Sequence, residues 1–598
     1  MNARLLGLAA AALAVPAAAQ DPLAPLPAEQ SAVEEPATPP AAAPPAASEP
    51  QPPPPPAQPV VQVPRDWREL FAAIRSGNWP AARAGIAALP PGPLTAVARA
   101  ELYTARNSPV ASLEQLESML AEAPDLPHAE QLARMAMTRG ATTPPLIVPR
   151  RPLVFLGGAP GRTRARPVAG EPAADELRAK LDPLNEANDA QNAELLLMQA
   201  GPTLSYEARA EAGQRVAWIY FRNGYDAEAR RVADSWRAGA SGDWAVQSAW
   251  VSALASWRLG DCESASRGFR EVAARSGERE LRAAAHFWSA RAEQACRRPQ
   301  SVTPLLKAAA HSSESFYGLL ARESLGMPKA LAAPALPAGA SVDHLPNVRR
   351  AIELVAIGEH ALAEQMLRHQ ARIGSPAQHQ GLVDVARRLD LAGTQYWLAR
   401  NGQPGARVRP QDRYPAPRWS PLTGWRVDPA LAFAHIMQES TFRLEALSPI
   451  GAVGLMQVRP GTAEDMARAR ALPYSRSTLT APAMNLEFGQ SFIERLRGLG
   501  ATQGQLPKVI AAYNAGPLPV ARWSFNDRGD PLLWIESIPY WETRYYVPAV
   551  LRNLWVYQTI AGAETPTLTA MAQHKWPAFP LSRTNFLAER PATGPGTP

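Results

Sequence analysis

Apolar residues recur at three-and-four spacing from Asp66 to about Met327, and Ala, Leu, Arg and Glu fill the positions between them. That period predicts helices almost throughout. A short signature repeats along the run. Gly77–Ala82, Gly224–Ala229, Gly260–Ala265 and Gly358–Ala363 each set a glycine five residues before an alanine, after one apolar helix and at the start of another. Glycine suits a left-handed helix end, and alanine lets the next helix approach closely. Gly224 and Gly260 stand near the period of a tetratricopeptide-like helix pair. The pattern predicts an all-α chain with a superhelical α-solenoid over residues 65–343 and a few further helices over 344–405. Residues 141 to about 173 break the period with Pro and Gly and predict a basic, irregular loop or insertion, a solvated excursion with a ligand contact as the alternative.

Beyond residue 406 the pattern changes. Asp428-Pro429 is a helix start, and Ala430, Leu431, Phe433, Ala434 and Met437 make an apolar helix ending near Glu439. Thr462 with Asp465 reads as a capping box, and Asn485 as the opening of the helix after it. Leu506 to Ala512 forms another helix, and the last runs from about Tyr540 to Ile560. A mainly helical domain is expected over 406–560 and a loose tail over 561–598.

Composition adds boundaries. Residues 1–20 carry Arg4, an apolar run and a small-residue cleavage site, and read as a secretory signal peptide. Residues 21–64 are Pro- and Ala-rich and read as a disordered tether. No other run is long and apolar enough to span a bilayer. The net charge of +7 fits an anionic partner such as an envelope polymer, and fits plain solubility equally. Stacked repeats bring Cys262 and Cys296 together, so a disulfide is reasonable; two buried thiols are the alternative. Trp218, Trp236, Trp250, Trp257 and Trp288 lie on solenoid helices and are expected in the core.

Glu439 is the candidate for chemistry. A helix C-terminus and apolar neighbours both disfavour its ionisation, which is what a general acid requires. Around it stand Glu439-Ser440, Ser448-Pro449, Gly454-Leu455-Met456-Gln457, Ala512-Tyr513-Asn514-Ala515-Gly516, Glu536-Ser537-Ile538-Pro539 and Glu542-Thr543-Arg544. In order and spacing this set resembles the soluble lytic murein transglycosylases.

The resemblance implies a lysozyme-like catalytic domain, a small linking helical domain before it, and action on peptidoglycan glycan strands in the periplasm. It implies no cofactor, no metal and no nucleic acid. Glu439 would serve as acid and then base, cleaving the MurNAc-β-1,4-GlcNAc bond with a 1,6-anhydro-MurNAc end. Ser448 and Gln457 would hydrogen-bond sugars, and Tyr513 would line the cleft. Asn514 would contact substrate or hold its own loop. Glu536 would contact the glycan, with a helix-capping carboxylate as the alternative. Glu542 with Arg544 is expected to form a structural ion pair, and His435 to be a packed histidine. Gly451 and Gly454 are expected to let backbone approach a ligand. The chain departs from the family at Arg459, at Ala481-Pro482 and at Phe492; Arg459 is expected to alter one sugar subsite. A hydrolase on the same fold and a non-catalytic scaffold are the rival readings.

Overall fold

The computed structural model describes residues 61–329, 331 and 339–580. The expected signal peptide and nearly all of the expected tether lie outside these residues. So does the tail beyond 580.

The repeat signature folds as its residues dictate. Gly77, Gly224, Gly260 and Gly358 all have positive φ, from +73° to +87°. Each ends one helix and lets the chain reverse into the next. The four alanines five residues on, Ala82, Ala229, Ala265 and Ala363, are all fully buried where paired helices meet. Two of the second helices gain a side-chain cap: Asn78 accepts from Ala81 N at 3.3 Å and Asp261 from Ser264 N at 3.0 Å. Cys262 begins the Cys262–Arg275 helix, and Cys296 follows the Arg279–Ala295 helix. They form a disulfide with Cα atoms 5.6 Å apart.

Two hydrophobic cores organise the helices. The first joins the N-terminal helices, Trp67–Arg75 to Ala129–Thr138, with the helices Pro346–Ala356 to Ala392–Leu398. Leu70, Phe71 and Leu116 share it with Val348, Leu354 and Met366. Residues 344–405, expected as a linking unit, therefore complete the core of the first repeats. Arg350 pairs with Asp125 at 2.8 Å across this junction.

The second core joins the helices Pro172–Ala187 to Phe316–Ser324 with the helices Pro429–Glu439 to Pro566–Ala572. Phe316 stacks on Trp555 at 5.2 Å, and Arg544 lies 3.7 Å above the Trp218 ring. Arg291 pairs with Asp530 at 2.6 Å. Trp250 and Trp288 are buried as expected, and Arg162 and Arg291 stack on their faces.

Residues 141–171 form no helix and are largely exposed, as their composition predicted, but they are anchored along their length. Val154–Phe155 pairs antiparallel with Asn401–Gly402, and Arg151 N donates to Arg372 O at 2.9 Å. Further on, Trp244 Nε1 donates to Arg166 O at 2.8 Å, and Val168 N to Glu211 at 2.7 Å. A segment that cannot bond its own backbone finds partners on the helices it crosses. Residues 561–580 also differ from expectation. The helix Pro566–Ala572 buries Leu568 and Met571, and Trp555 Nε1 donates to Thr567 at 2.9 Å. Among the described residues no helix is long and apolar enough to cross a membrane.

Candidate active site

The helix Pro429–Glu439 is buried at every position from Pro429 to Met437. Its start is fixed twice. Asp428 accepts from Ala430 N at 2.9 Å, and Gln558 Nε2 donates to the other Asp428 oxygen at 2.9 Å. Its end is a sharp reversal. Thr441 and Phe442 both sit at positive φ, +51° and +66°. Left-handed backbone is unfavourable for a β-branched and for an aromatic residue, by about 1–2 kcal/mol each. Phe442, buried against Tyr396 and Trp419, holds the turn.

Glu439 is the last residue of this helix, half-buried with its carboxyl largely enclosed. Burial pushes the carboxyl pKa up to about 7, and the charge of Glu542 adds to the rise. A hydrogen bond from Tyr546 opposes it: the Tyr546 hydroxyl donates to Glu439 Oε1 at 2.5 Å. Behind Tyr546 lies His435, whose Nδ1 is 2.8 Å from the same hydroxyl. His435 is fully buried, and burial pulls its pKa down to about 3, so the ring is neutral. Tyr513 packs on the His435 ring at 4.6 Å and donates its hydroxyl to Met456 O at 2.7 Å. That hydroxyl is engaged, so Tyr513 offers the site its ring.

The turn from Ala446 to Val458 forms the next wall. Ser448 Oγ accepts from Ala452 N at 2.9 Å, and Ser448 O accepts from Gly451 N at 2.9 Å. Gln457 has φ +47°, and its Nε2 donates to Ala446 O at 3.1 Å and Gly454 O at 2.9 Å. What Gln457 can offer a ligand is its carbonyl oxygen. Asn485 clamps the whole turn from beneath. Its amide donates to Val453 O and Leu479 O at 2.9 and 2.8 Å, and its oxygen accepts from Met456 N at 2.8 Å. A Cβ on Gly454 would lie 2.3 Å from that amide nitrogen. The close approach at Gly454 is therefore to Asn485, not to a ligand. Asn485 stands inside the helix Pro482–Arg497 and does not open it. The preceding helix begins at Pro460 with Arg459 as its N-cap, so Thr462 and Asp465 form no capping box.

Three other expected residues are held internally. Asn514 donates to Glu542 at 3.3 Å and accepts from Thr543 Oγ1 at 2.6 Å, tying two helix ends together. Glu542 is thus bonded to Asn514, while Arg544 stacks on Trp218; the expected ion pair between them does not form. Glu536 is enclosed, 2% exposed. Arg162 meets its carboxylate at 3.1 and 3.3 Å, and Tyr317 donates to it at 2.7 Å. A glycan cannot reach a carboxylate so enclosed, which corrects the substrate-contact expectation. Glu536 is also not a capping group; it closes the helix Pro531–Glu536.

Sequence reasoning missed Tyr546, and a signal was present. Tyr546, Val550, Asn553 and Tyr557 recur at helical spacing on the buried face of the helix Trp541–Ile560. Polar groups on such a face need partners. Asn553 finds Ala434 O and Tyr546 finds Glu439, both on the Pro429–Glu439 helix.

A glutamate with a raised pKa on a buried helix, gripped by one tyrosine inside a helical domain, is a candidate general acid. Residues 421–531 match the family model of the transglycosylase SLT domain, so the chain carries a domain of that family. The soluble lytic murein transglycosylase of Escherichia coli K12 is 35% identical over 158 residues, covering 26% of this chain and 24% of that protein. A putative soluble lytic murein transglycosylase of Haemophilus influenzae is 26% identical over 298 residues, 47% and 48% of the two chains. The chain thus spans between a quarter and a half of the length of these curated relatives. Likeness of fold reaches further. An inactive mutant of the Pseudomonas aeruginosa lytic transglycosylase superposes with TM-score 0.52 at 19% identity, covering 83% of this chain and 86% of that one. The 70 kDa soluble lytic transglycosylase of E. coli superposes with TM-score 0.50 at 17% identity, covering 85% and 99%.

Proposed function

We propose that the protein is a peptidoglycan lytic transglycosylase. It would cleave the MurNAc-β-1,4-GlcNAc bond of glycan strands and leave 1,6-anhydro-MurNAc ends. One observation supports this above all: an SLT domain whose glutamate is held near pKa 7, so that acid and base forms are both accessible near neutral pH. Protonated Glu439 gives its proton to the glycosidic oxygen as the C1–O bond breaks. The resulting carboxylate takes the proton of the muramyl C6 hydroxyl, whose oxygen closes the anhydro ring on C1. Water is not consumed. Tyr546 steadies the carboxylate between the two steps. Ser448, the carbonyl of Gln457 and the ring of Tyr513 would hold sugars; Asn514 would keep the Tyr513 helix end in place. The expected signal peptide supports a periplasmic site of action.

Glu542 favours a second reading, because its charge is felt at Glu439. A second carboxylate is what a hydrolase needs. Digestion of purified peptidoglycan followed by mass spectrometry separates the two. Anhydro-muramyl ends are expected from the wild type, and no products from Glu439→Gln. Reducing ends, lost in Glu542→Gln, would transfer the assignment to a hydrolase.

A further inference from the structure

The hydroxyl of Tyr546 has one proton and two neighbours. Glu439 Oε1 lies 2.5 Å away and His435 Nδ1 lies 2.8 Å away. It donates to the carboxylate. The contact to His435 must then run the other way, with Nδ1–H as donor and Tyr546 Oη as acceptor. The ring is neutral and has a single N–H, so Nε2 is bare. Nε2 is buried without a hydrogen-bond partner, and neither tautomer would give it one. With Glu439 ionised, the single proton of the hydroxyl decides between them; with Glu439 protonated, both directions satisfy its valence, and the tautomer of His435 selects one.

The direction matters for the acid. With the opposite tautomer, Tyr546 would donate to His435, and a protonated Glu439 would donate to Tyr546. Its proton would then point into the protein, away from any glycosidic oxygen. We propose that His435 is a positioning residue: its Nδ1–H fixes the direction of the Tyr546 hydroxyl, so that Glu439 Oε1 always accepts and Oε2 carries the proton that is transferred. This rests on the transglycosylase reading for its consequence, but not for the hydrogen-bond chain itself.

The surroundings leave His435 free to act this way. Tyr513 covers its ring face, and its own hydroxyl is committed to Met456 O. The titratable groups bearing on Glu439 are Tyr546 and Glu542 from the Trp541–Ile560 helix and Tyr513 from the Leu506–Ala515 helix. The Ala446–Val458 turn has no ionisable side chain to compete.

The test compares wild type, His435→Phe, His435→Asn and Tyr546→Phe on soluble glycan strands across pH. An asparagine amide can place an N–H where Nδ1–H stood; phenylalanine cannot. For His435→Phe, kcat should fall about tenfold or more with KM little changed. Its alkaline limb should move to higher pH, because the hydrogen bond that favours the carboxylate is no longer held. Asparagine should restore both, and His435→Phe should add little on top of Tyr546→Phe. A second readout does not depend on activity. Nitrogen-15 spectra of histidine-labelled protein, with the His435→Asn spectrum to assign the signal, should show a neutral ring protonated on Nδ1. An Nε2–H ring overturns the proposal, as do equal effects of Phe and Asn on kcat and on the pH limb. A wild type without lytic activity, yet with the Nδ1–H signature, would sink the functional reading and leave the hydrogen-bond chain standing.

Discussion

At Glu439 the raised pKa that the proposed chemistry needs works against folding above neutral pH. Burial holds the carboxyl near pKa 7 in the fold, against about 4.5 for the solvated side chain of the unfolded chain. Between these values the folded state holds the extra proton, so stability falls as pH rises and the loss is complete above about pH 7. Glutamine removes the ionisation. Glu439→Gln should therefore match wild-type stability below pH 4.5 and exceed it by about 2–3 kcal/mol at pH 8. Urea unfolding at the two pH values measures this; equal stabilities at pH 8 would show the carboxyl to be well solvated. Glu542 acts in the same sense from a distance. In Glu542→Gln the Glu439 pKa should drop, and the alkaline limb of activity should move to lower pH. Loss of all activity in that variant would instead make Glu542 a second catalytic group. The motifs around position 439 singled out this glutamate, and the apolar helix pointed to its raised pKa. Tyr546 lay two residues beyond Arg544, where the recognised run stopped. Helical spacing put Tyr546 on a buried face, but its partner lies on a helix more than a hundred residues away, which that local pattern does not name.

Among the elements, the turn from Ala446 to Val458 shows what spacing can and cannot reveal. Gly454 was legible as a position that needs glycine, but for a ligand. It is needed because φ is +78° and because a Cβ would fall 2.4 Å from Leu479 O and closer still to Asn485. Gly454→Ala should destabilise the domain by about 3 kcal/mol. It should also weaken glycan binding, since Ser448 and Gln457 ride on the same turn. Thermal unfolding with and without a glycan fragment reads both effects, and an unchanged midpoint would show that the turn yields. The repeat helices were the most legible part of the fold, because glycine end and buried alanine are local requirements. The false capping box at Thr462 has a local cause too. Pro460 supplies a stronger start two residues earlier.

At the scale of the whole molecule, the segment 141–171 helps to join the solenoid helices to the domain that carries Glu439. Pro and Gly correctly excluded a helix there, but composition did not reveal its anchors, because its partners lie far away in sequence. Arg162 is the clearest case. Its side chain and that of Glu536 are each 3% exposed, their charged groups 3.1 Å apart, and the arginine also lies over Trp250 and Tyr545. Tyr545 precedes Tyr546, so this ion pair braces the helix that grips the acid. A buried pair contributes little over an apolar substitute of the same volume, whereas breaking it leaves a lone buried charge. Arg162→Met should therefore cost about 3–5 kcal/mol, and Arg162→Met with Glu536→Gln should recover most of that loss. If the pair serves only stability, the double variant should regain wild-type kcat along with its fold. If it also sets the pitch of the Trp541–Ile560 helix, the double variant should be stable but slow, with the Glu439 limb displaced. Denaturant unfolding and the pH profile of one double-mutant cycle distinguish these outcomes. Additive losses in the cycle would show that Arg162 and Glu536 do not depend on each other.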